Sequence, residues 1–179
     1  MFEEVMGIPA HPLMVHAAVV FMPLLALGSI AYALVPWLRQ RIRWAVVLLA
    51  IAAPVAAFAA EESGDKFRAR LVDRSLVSPE ILISIDEHQD LGERALQLSI
   101  ALGVVTLLMA FLVRGRASAS RRGQSAEVDT DATAGHRPSK ARLLGQVVLG
   151  VLAVGLALAT VYFVVRTGDT GAKAVWGDF

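Results

Sequence analysis

The chain has 179 residues, of which 56% are hydrophobic, and its formal net charge is +1. Its mean hydropathy of +0.59 is too high for an ordinary soluble domain. The apolar residues are gathered into long runs, which predicts an integral membrane protein. The chain has no cysteine, which excludes disulfides, thiolate metal sites and covalently attached c-type haem.

Four apolar runs are long enough to cross a bilayer, and they cover about residues 12–35, 44–60, 91–113 and 143–165. They predict an all-α fold, a polytopic membrane protein whose single domain, residues 1–179, is a four-helix transmembrane bundle. The fourth run is rich in small residues, including Gly155 and Ala157. Small residues let helix backbones approach closely, so we expect them on the packing face.

The first run opens with the stretch GIPAHPLMVH, which carries two histidines, His11 and His16. Proline is favoured at the first position of a helix, so we expect His11 to cap the helix and Pro12 to begin it. His16 then lies about 6 Å inside, near the edge of the hydrocarbon. An ionisable side chain at that depth needs a partner, so His16 is either a ligand or an imidazole hydrogen-bonded to a neighbouring helix.

The long connection between the second and third runs, residues 61–90, is rich in acidic residues. We expect a short helix on the membrane surface in its first part. Ser78 and Pro79 then have the pattern of a cap and a first-turn proline, which predicts that the third helix begins there. His88 would lie on this helix at a depth similar to that of His16.

The distribution of basic residues predicts the orientation. Residues 114–142 are polar, lack apolar periodicity and predict a flexible loop. This loop and the basic turn 36–43 together hold ten Lys and Arg residues, whereas the acidic connection holds four. By the positive-inside rule both loops are cytoplasmic and both termini are extracytoplasmic. We therefore expect a multi-pass protein of a bacterial plasma membrane, with its histidines on the outer face.

Two histidines on separate helices at matching depth, His16 and His88, suit the axial ligation of a b-type haem. Neutral imidazole binds iron without adding charge to the membrane. Gly92 and Ser99 lie on the same face of the third helix as His88. These small residues would either leave room for a flat macrocycle or pack against another helix.

A Zn, Cu or Fe ion is the alternative cofactor, with nitrogen and oxygen ligands from His11, His16, His88 and either Glu61 or Glu62. A structural or accessory subunit with no cofactor is the third interpretation. The chain has no phosphate loop or catalytic triad pattern, which disfavours a hydrolase. No motif in the sequence identifies an enzymatic reaction.

The partners follow from the same observations. The lipid bilayer is the first, and a redox role would add an extracytoplasmic redox protein or a lipid-soluble quinone. Nucleic acid is disfavoured because acidic residues dilute the one basic segment. The sequence does not determine an oligomeric state.

Four stretches together resemble the DUF2231 family of small bacterial four-span membrane proteins: GIPAHPLMVH, AEESGDKF, DEHQDLGERA and RTGDTGAKAVW. The resemblance implies four spans and no established activity, and it suggests a redox role only through relatives that look associated with cytochromes. One position departs from the family pattern TGH-x-G, because this chain has Asp169 where the histidine is expected. The resemblance therefore implies no histidine ligand from the fourth helix.

Overall fold

The computed structural model describes the backbone of residues 4–5, 8–126 and 140–177, and the side chains of residues 10–112 and 143–177. Within these residues the chain forms four long helices, α1 (Ala10–Leu34), α2 (Arg39–Asp73), α3 (Pro79–Ala126) and α4 (Lys140–Trp176). Two short antiparallel strands precede them, β1 (Glu4–Val5) and β2 (Ile8–Pro9). All four helices are long and apolar enough to cross a membrane, which confirms the predicted all-α bundle.

The helices extend beyond the apolar runs. At about 1.5 Å per residue, the 35 residues of α2 reach about 52 Å, whereas the hydrocarbon core is about 30 Å thick. The surface helix expected after residue 60 is instead the continuation of α2. The basic turn is shorter than expected, because Arg39 already begins that helix.

The third helix begins where its cap predicts. The backbone N–H of Ile81 donates to the Ser78 hydroxyl at 3.4 Å, and Pro79 is the first helical residue. Helix α3 then includes residues 114–126 of the stretch predicted as a loop. Residues 127–139 of that stretch lie outside the described residues.

The helices alternate in direction, and α1 and α3 are diagonal partners. Each of them packs along both α2 and α4, whereas α1 and α3 meet only across the centre. The starts of α1 and α3 therefore lie beside the ends of α2 and α4. We call this the histidine end, after His11 and His88, and we call the opposite end, which carries Arg39, the arginine end.

Many of the buried residues are small, and many large apolar residues face outward. Ala53 and Ala157 are fully buried, while Leu27 and Val151 are more than 60% exposed. This inside-out pattern is typical of a bundle whose outer surface is covered by lipid, with small residues at the helix contacts. Gly155 does not contribute as expected, since a Cβ there would meet nothing within 4 Å.

Two contacts fix the centre of the bundle. The hydroxyls of Ser29 on α1 and Thr106 on α3 are fully buried and hydrogen-bonded at 2.8 Å. Beside them, a Cβ on Gly103 of α3 would lie 2.6 Å from the backbone oxygen of Ala50 on α2. Backbones this close leave no room for a side chain at position 103. The contact therefore fixes how α2 and α3 align along their length, up to the histidine end.

Candidate functional site

A cavity of about 1040 Å³ lies between the four helices at the histidine end. Its lining includes His11, His16 and His88 together with small residues such as Gly92 and Ala95. The five charged side chains among its described lining all come from α2 and α3, and they are Glu61, Asp65, Arg68, Asp90 and Glu93. The described lining from α1 and α4 has no charged carboxylate, Lys or Arg side chain, so these charges are confined to the α2 and α3 side of the cavity.

Helix α2 holds the first imidazole. Nδ1 of His11 donates to the backbone oxygen of Ala60 at 3.0 Å and lies 3.2 Å from the Ser63 hydroxyl. Gly64 makes room for the ring, because a Cβ at that position would lie 3.1 Å from its Cε1 atom. The ring of Phe67 stacks against that of His11, with centroids 6.2 Å apart.

Helix α4 holds the second imidazole in the same way. Nδ1 of His88 donates to the backbone oxygen of Thr167 at 2.8 Å, and the Thr170 hydroxyl lies 3.4 Å away. A Cβ on Gly171 would lie 2.8 Å from Cε1 of His88. A carbonyl oxygen only accepts, so in both histidines Nδ1 carries a proton, and in the neutral form of each ring Nε2 has the free lone pair.

The two imidazoles lie close together between the diagonal helices α1 and α3. Their centroids are 6.2 Å apart and their planes are nearly perpendicular, at 84°. Both rings are half-buried. His11 lies inside the first turn of α1, which begins at Ala10, so the prediction that His11 caps the helix is wrong.

The other predicted cofactor-binding residues are placed differently. His16 is exposed, and its Nδ1 bonds to the backbone oxygen of Pro12 on its own helix. Gly92 lines the cavity, with its Cβ position 3.8 Å from Thr167. Ser99 is fully buried in the helix packing and donates to the backbone oxygen of Leu96.

The predicted carboxylate ligands do not gather around the imidazoles. Glu61 lines the cavity, but Glu62 is exposed and forms an ion pair with Lys66 at 2.8 Å. Among the residues that the structure describes, no three His, Asp or Glu side chains form a group that could hold a metal ion. Asp169 forms an ion pair with Lys173 at 3.3 Å.

Polar contacts tie the extended ends of α2 and α3 together beside the cavity. Arg68 donates from Nε to Asp86 at 2.7 Å, and the Gln89 amide donates to Asp65 at 2.6 Å. These contacts restrict sliding of α3 along α2, and they therefore fix the position of His88 along the bundle axis. Sequence reasoning missed them because it treated this part of α2 as a separate surface segment.

The sequence analysis also missed the residues that hold the rings. Ala60 and Thr167 act through their backbone oxygens, which no side-chain pattern reveals. Gly64 and Gly171 had only a weak signal, since each follows a hydroxyl residue, Ser63 or Thr170, near a helix end.

Comparison with known proteins gives one match. A family model described as a predicted membrane protein, DUF2231, matches residues 7–178. That range includes every residue of the cavity lining. No curated protein and no solved structure matches the chain.

Proposed function

Because the chain belongs to the DUF2231 family of predicted membrane proteins, we propose a function that a membrane-embedded pair of imidazoles can perform. In this proposal His11 and His88 would hold one b-type haem through their imidazole nitrogens. When bound, the haem would supply one-electron exchange. The protein orients both imidazoles, so the proposed role is electron transfer rather than oxygen chemistry.

The distance between the two rings carries this proposal. Two imidazole nitrogens that bind one metal ion from opposite sides, at about 2 Å each, place their ring centroids about 6 Å apart. The centroids of His11 and His88 are 6.2 Å apart. Each Nδ1 donates to a carbonyl, as is usual in metal-binding histidines, and each Nε2 keeps the lone pair that a metal needs.

The number of ligands favours haem over a Zn, Cu or Fe ion. A zinc site takes three or four protein ligands, whereas the porphyrin supplies four ligands to its own iron. Two protein nitrogens therefore complete a haem site. The described residues add no third side chain to form a metal-binding group with this pair.

The cavity also has room for a flat group. Its volume of about 1040 Å³ is at the upper end of the range of about 300–1,000 Å³ for small-molecule sites. Several of its lining residues are small, including Gly92 and Ala95 on α3 and Ala18 on α1. A neutral imidazole pair in this position adds no net charge to the membrane.

We propose a lipid-soluble quinone as the electron partner. The described lining on the α1 and α4 side of the cavity has no carboxylate, Lys or Arg side chain, and Val19 on that side is 47% exposed on the surface that lipid would cover. A quinone could approach the cavity from the bilayer along this side. Reduction of the haem by a short-chain quinol in detergent would support this partner, whereas reduction by soluble redox proteins alone would reject it.

We also propose that the histidine end faces the extracytoplasmic side of a bacterial plasma membrane. Residues 36–43 and 114–142 hold ten Lys and Arg residues, and such residues concentrate on the cytoplasmic side. Electron exchange would then take place near the outer surface.

Absorbance of the protein purified from a haem-supplemented culture tests the haem site. We expect a Soret band, with the visible bands of a low-spin haem after reduction and one haem per chain. His11→Ala and His88→Ala should each abolish the low-spin spectrum. His16→Ala is the matched control, because His16 also lines the cavity but bonds to its own helix, and it should keep the spectrum.

Three outcomes would overturn the proposal. Stoichiometric zinc, copper or iron without porphyrin would assign a metal-ion site to the pair. Loss of the spectrum in His16→Ala, with retention in His11→Ala, would restore the pair predicted from the sequence. A folded protein with neither haem nor metal would make the histidines interhelical hydrogen-bonding groups in an accessory subunit.

A further inference from the structure

The two imidazoles are held by the same local arrangement on different helices. On α2 the accepting carbonyl belongs to Ala60, the nearby hydroxyl to Ser63, and the glycine beneath the ring is Gly64. On α4 the corresponding residues, with the same spacing, are Thr167, Thr170 and Gly171. The carbonyl, hydroxyl and glycine have the same spacing along α2 as along α4. Holding a single ring does not require this, so the shared spacing indicates that the two helices are structurally equivalent.

The diagonal helices α1 and α3 share one register of buried residues. Ser29 and Thr106 are 77 residues apart and hydrogen-bonded to each other, and His11 and His88 have the same separation. The same shift carries every buried residue from Ala18 to Tyr32 onto a buried residue of α3. The pairs are Ala18 with Ala95, Met22 with Ser99, Leu25 with Leu102, Ala26 with Gly103, Ser29 with Thr106 and Tyr32 with Met109.

Helices α2 and α4 share a second register, which is the one that aligns the two ring-holding arrangements. It again places buried residues on buried residues. The pairs are Val46 with Ala153, Ala50 with Ala157, Ala53 with Thr160, Ala57 with Val164 and Ser63 with Thr170. The two registers are independent, since the connections between the helices differ in length. The second has one exception, because Ala60 is buried and Thr167 is half-buried. In the first, some buried α3 residues, including Leu96 and Ala110, correspond to α1 residues that are not buried.

We propose that the chain is a tandem repeat of two helical hairpins, α1–α2 and α3–α4, related by a two-fold axis along the bundle. The axis passes between His11 and His88 and between Ser29 and Thr106. Each hairpin supplies one imidazole and the helix that holds it. The position of the haem on this axis rests on the proposed function, whereas the repeat rests on the buried registers alone.

The proposal assigns paired positioning roles to Gly64 and Gly171. Each lies beneath one ring. A methyl group would lie 2.8 Å from Cε1 of His88 at Gly171 and 3.1 Å from Cε1 of His11 at Gly64, so both rings have to give way to accept it. Residues that orient a metal-bound histidine typically affect binding by about tenfold or more. Equivalent positions should therefore give equal effects, although they lie on different helices.

The test compares Gly64→Ala with Gly171→Ala in the full chain. We expect both variants to weaken haem binding by about tenfold, within a factor of about three of each other, and to change the low-spin spectrum alike. Gly155→Ala is the control, since its Cβ would meet nothing, and it should bind normally. Full tolerance of one glycine variant with loss of binding in the other would reject the repeat.

A second comparison does not depend on haem. The exchange Ser63→Thr with Thr170→Ser moves each hydroxyl residue into the other arrangement, so thermal unfolding in detergent should match that of the native protein. Gly64→Ala and Gly171→Ala should lower the unfolding midpoint by similar amounts. If the protein binds no haem but these equalities hold, only the proposed function fails; a strongly destabilised exchange variant would overturn the repeat itself.

Discussion

Ser29 and Thr106 form a side-chain hydrogen bond that links the two diagonal helices through the middle of the membrane. Both residues are fully buried, and their oxygens are 2.8 Å apart. Lipid offers no competing hydrogen bond, so removal of either hydroxyl leaves the other without this partner. In membrane proteins such bonds between helices contribute about 0.6 kcal/mol on average and up to about 1.7 kcal/mol.

We expect Ser29→Ala and Thr106→Val each to lower the free energy of unfolding by about 1 kcal/mol. The double variant should lose less than the sum of the two, because one bond is removed in both cases. Ser99→Ala is the control, since that hydroxyl bonds only to its own helix. Reversible unfolding in mixed detergent measures these values, and strictly additive losses would show that the bond contributes no coupling.

The histidines show how much of the site can be predicted from single residues. Sequence reasoning found His11, His16 and His88 and the end of the bundle to which they belong. It paired His16 with His88, because depth alone was considered. Residues five apart on a helix point about 140° from each other, so only one of the two α1 histidines can face the axis. Which of the two faces the axis depends on the hydrogen bond from His11 to the backbone oxygen of Ala60. This bond joins two helices, so the sequence of α1 alone does not reveal it.

The close crossing of α2 and α3 depends on one glycine. A Cβ on Gly103 would lie 2.6 Å from the backbone oxygen of Ala50, and a backbone atom cannot rotate away as a side chain can. The helices must separate to accept any larger residue. Because both helices continue to the cavity, their separation would also move His88 relative to α2.

We expect Gly103→Ala to destabilise the bundle by roughly 1–3 kcal/mol, the usual cost of overpacking a closed contact. Gly150→Ala is the matched control on α4, since its Cβ would make an ordinary contact at 3.9 Å with Ala33. The midpoint of thermal unfolding in detergent compares the two variants. Equal midpoints would show that the α2 and α3 backbones can separate without cost.

Helix lengths were the least predictable feature of the elements. Apolar runs predicted all four helices, because lipid requires about 20 apolar residues for a span. The lengths of the helical parts outside the membrane are not set by apolar residues. These parts are charged, and contacts between helices stabilise them. Arg68 on α2 binds Asp86 on α3, and neither residue alone indicates that α2 continues to Asp73.

For the whole molecule, the position of charge predicts which end faces the cytoplasm. Residues 36–43 and 114–142 hold ten Lys and Arg residues, whereas residues 61–90 hold four. A reporter that is active only in the cytoplasm should therefore be active when fused at Ser125 and silent when fused after Phe179. Activity at Phe179 with silence at Ser125 would invert the orientation and place the proposed site on the cytoplasmic side.

The charged residues on one side of the cavity would also influence the midpoint potential of the proposed haem. The oxidised form of a haem carries one more positive charge than the reduced form. If the proposed haem is bound, carboxylates on the α2 and α3 side, including Glu61 and Glu93, would stabilise its oxidised form and lower its midpoint potential. A site with this lining should give up electrons readily.

Neutralising one carboxylate measures this influence. Glu61→Gln should raise the midpoint potential of the proposed haem by roughly tens of millivolts. The reason is that the interaction between the Glu61 charge and the oxidised haem would be on the order of 1 kcal/mol. Glu62→Gln is the matched control, because Glu62 is exposed and already paired with Lys66. Potentiometric titration should show a shift only for Glu61→Gln, and the shift should shrink at high salt. Equal shifts for both variants would mean that the reduction potential is set by the overall charge of the histidine end and not by the side of the cavity.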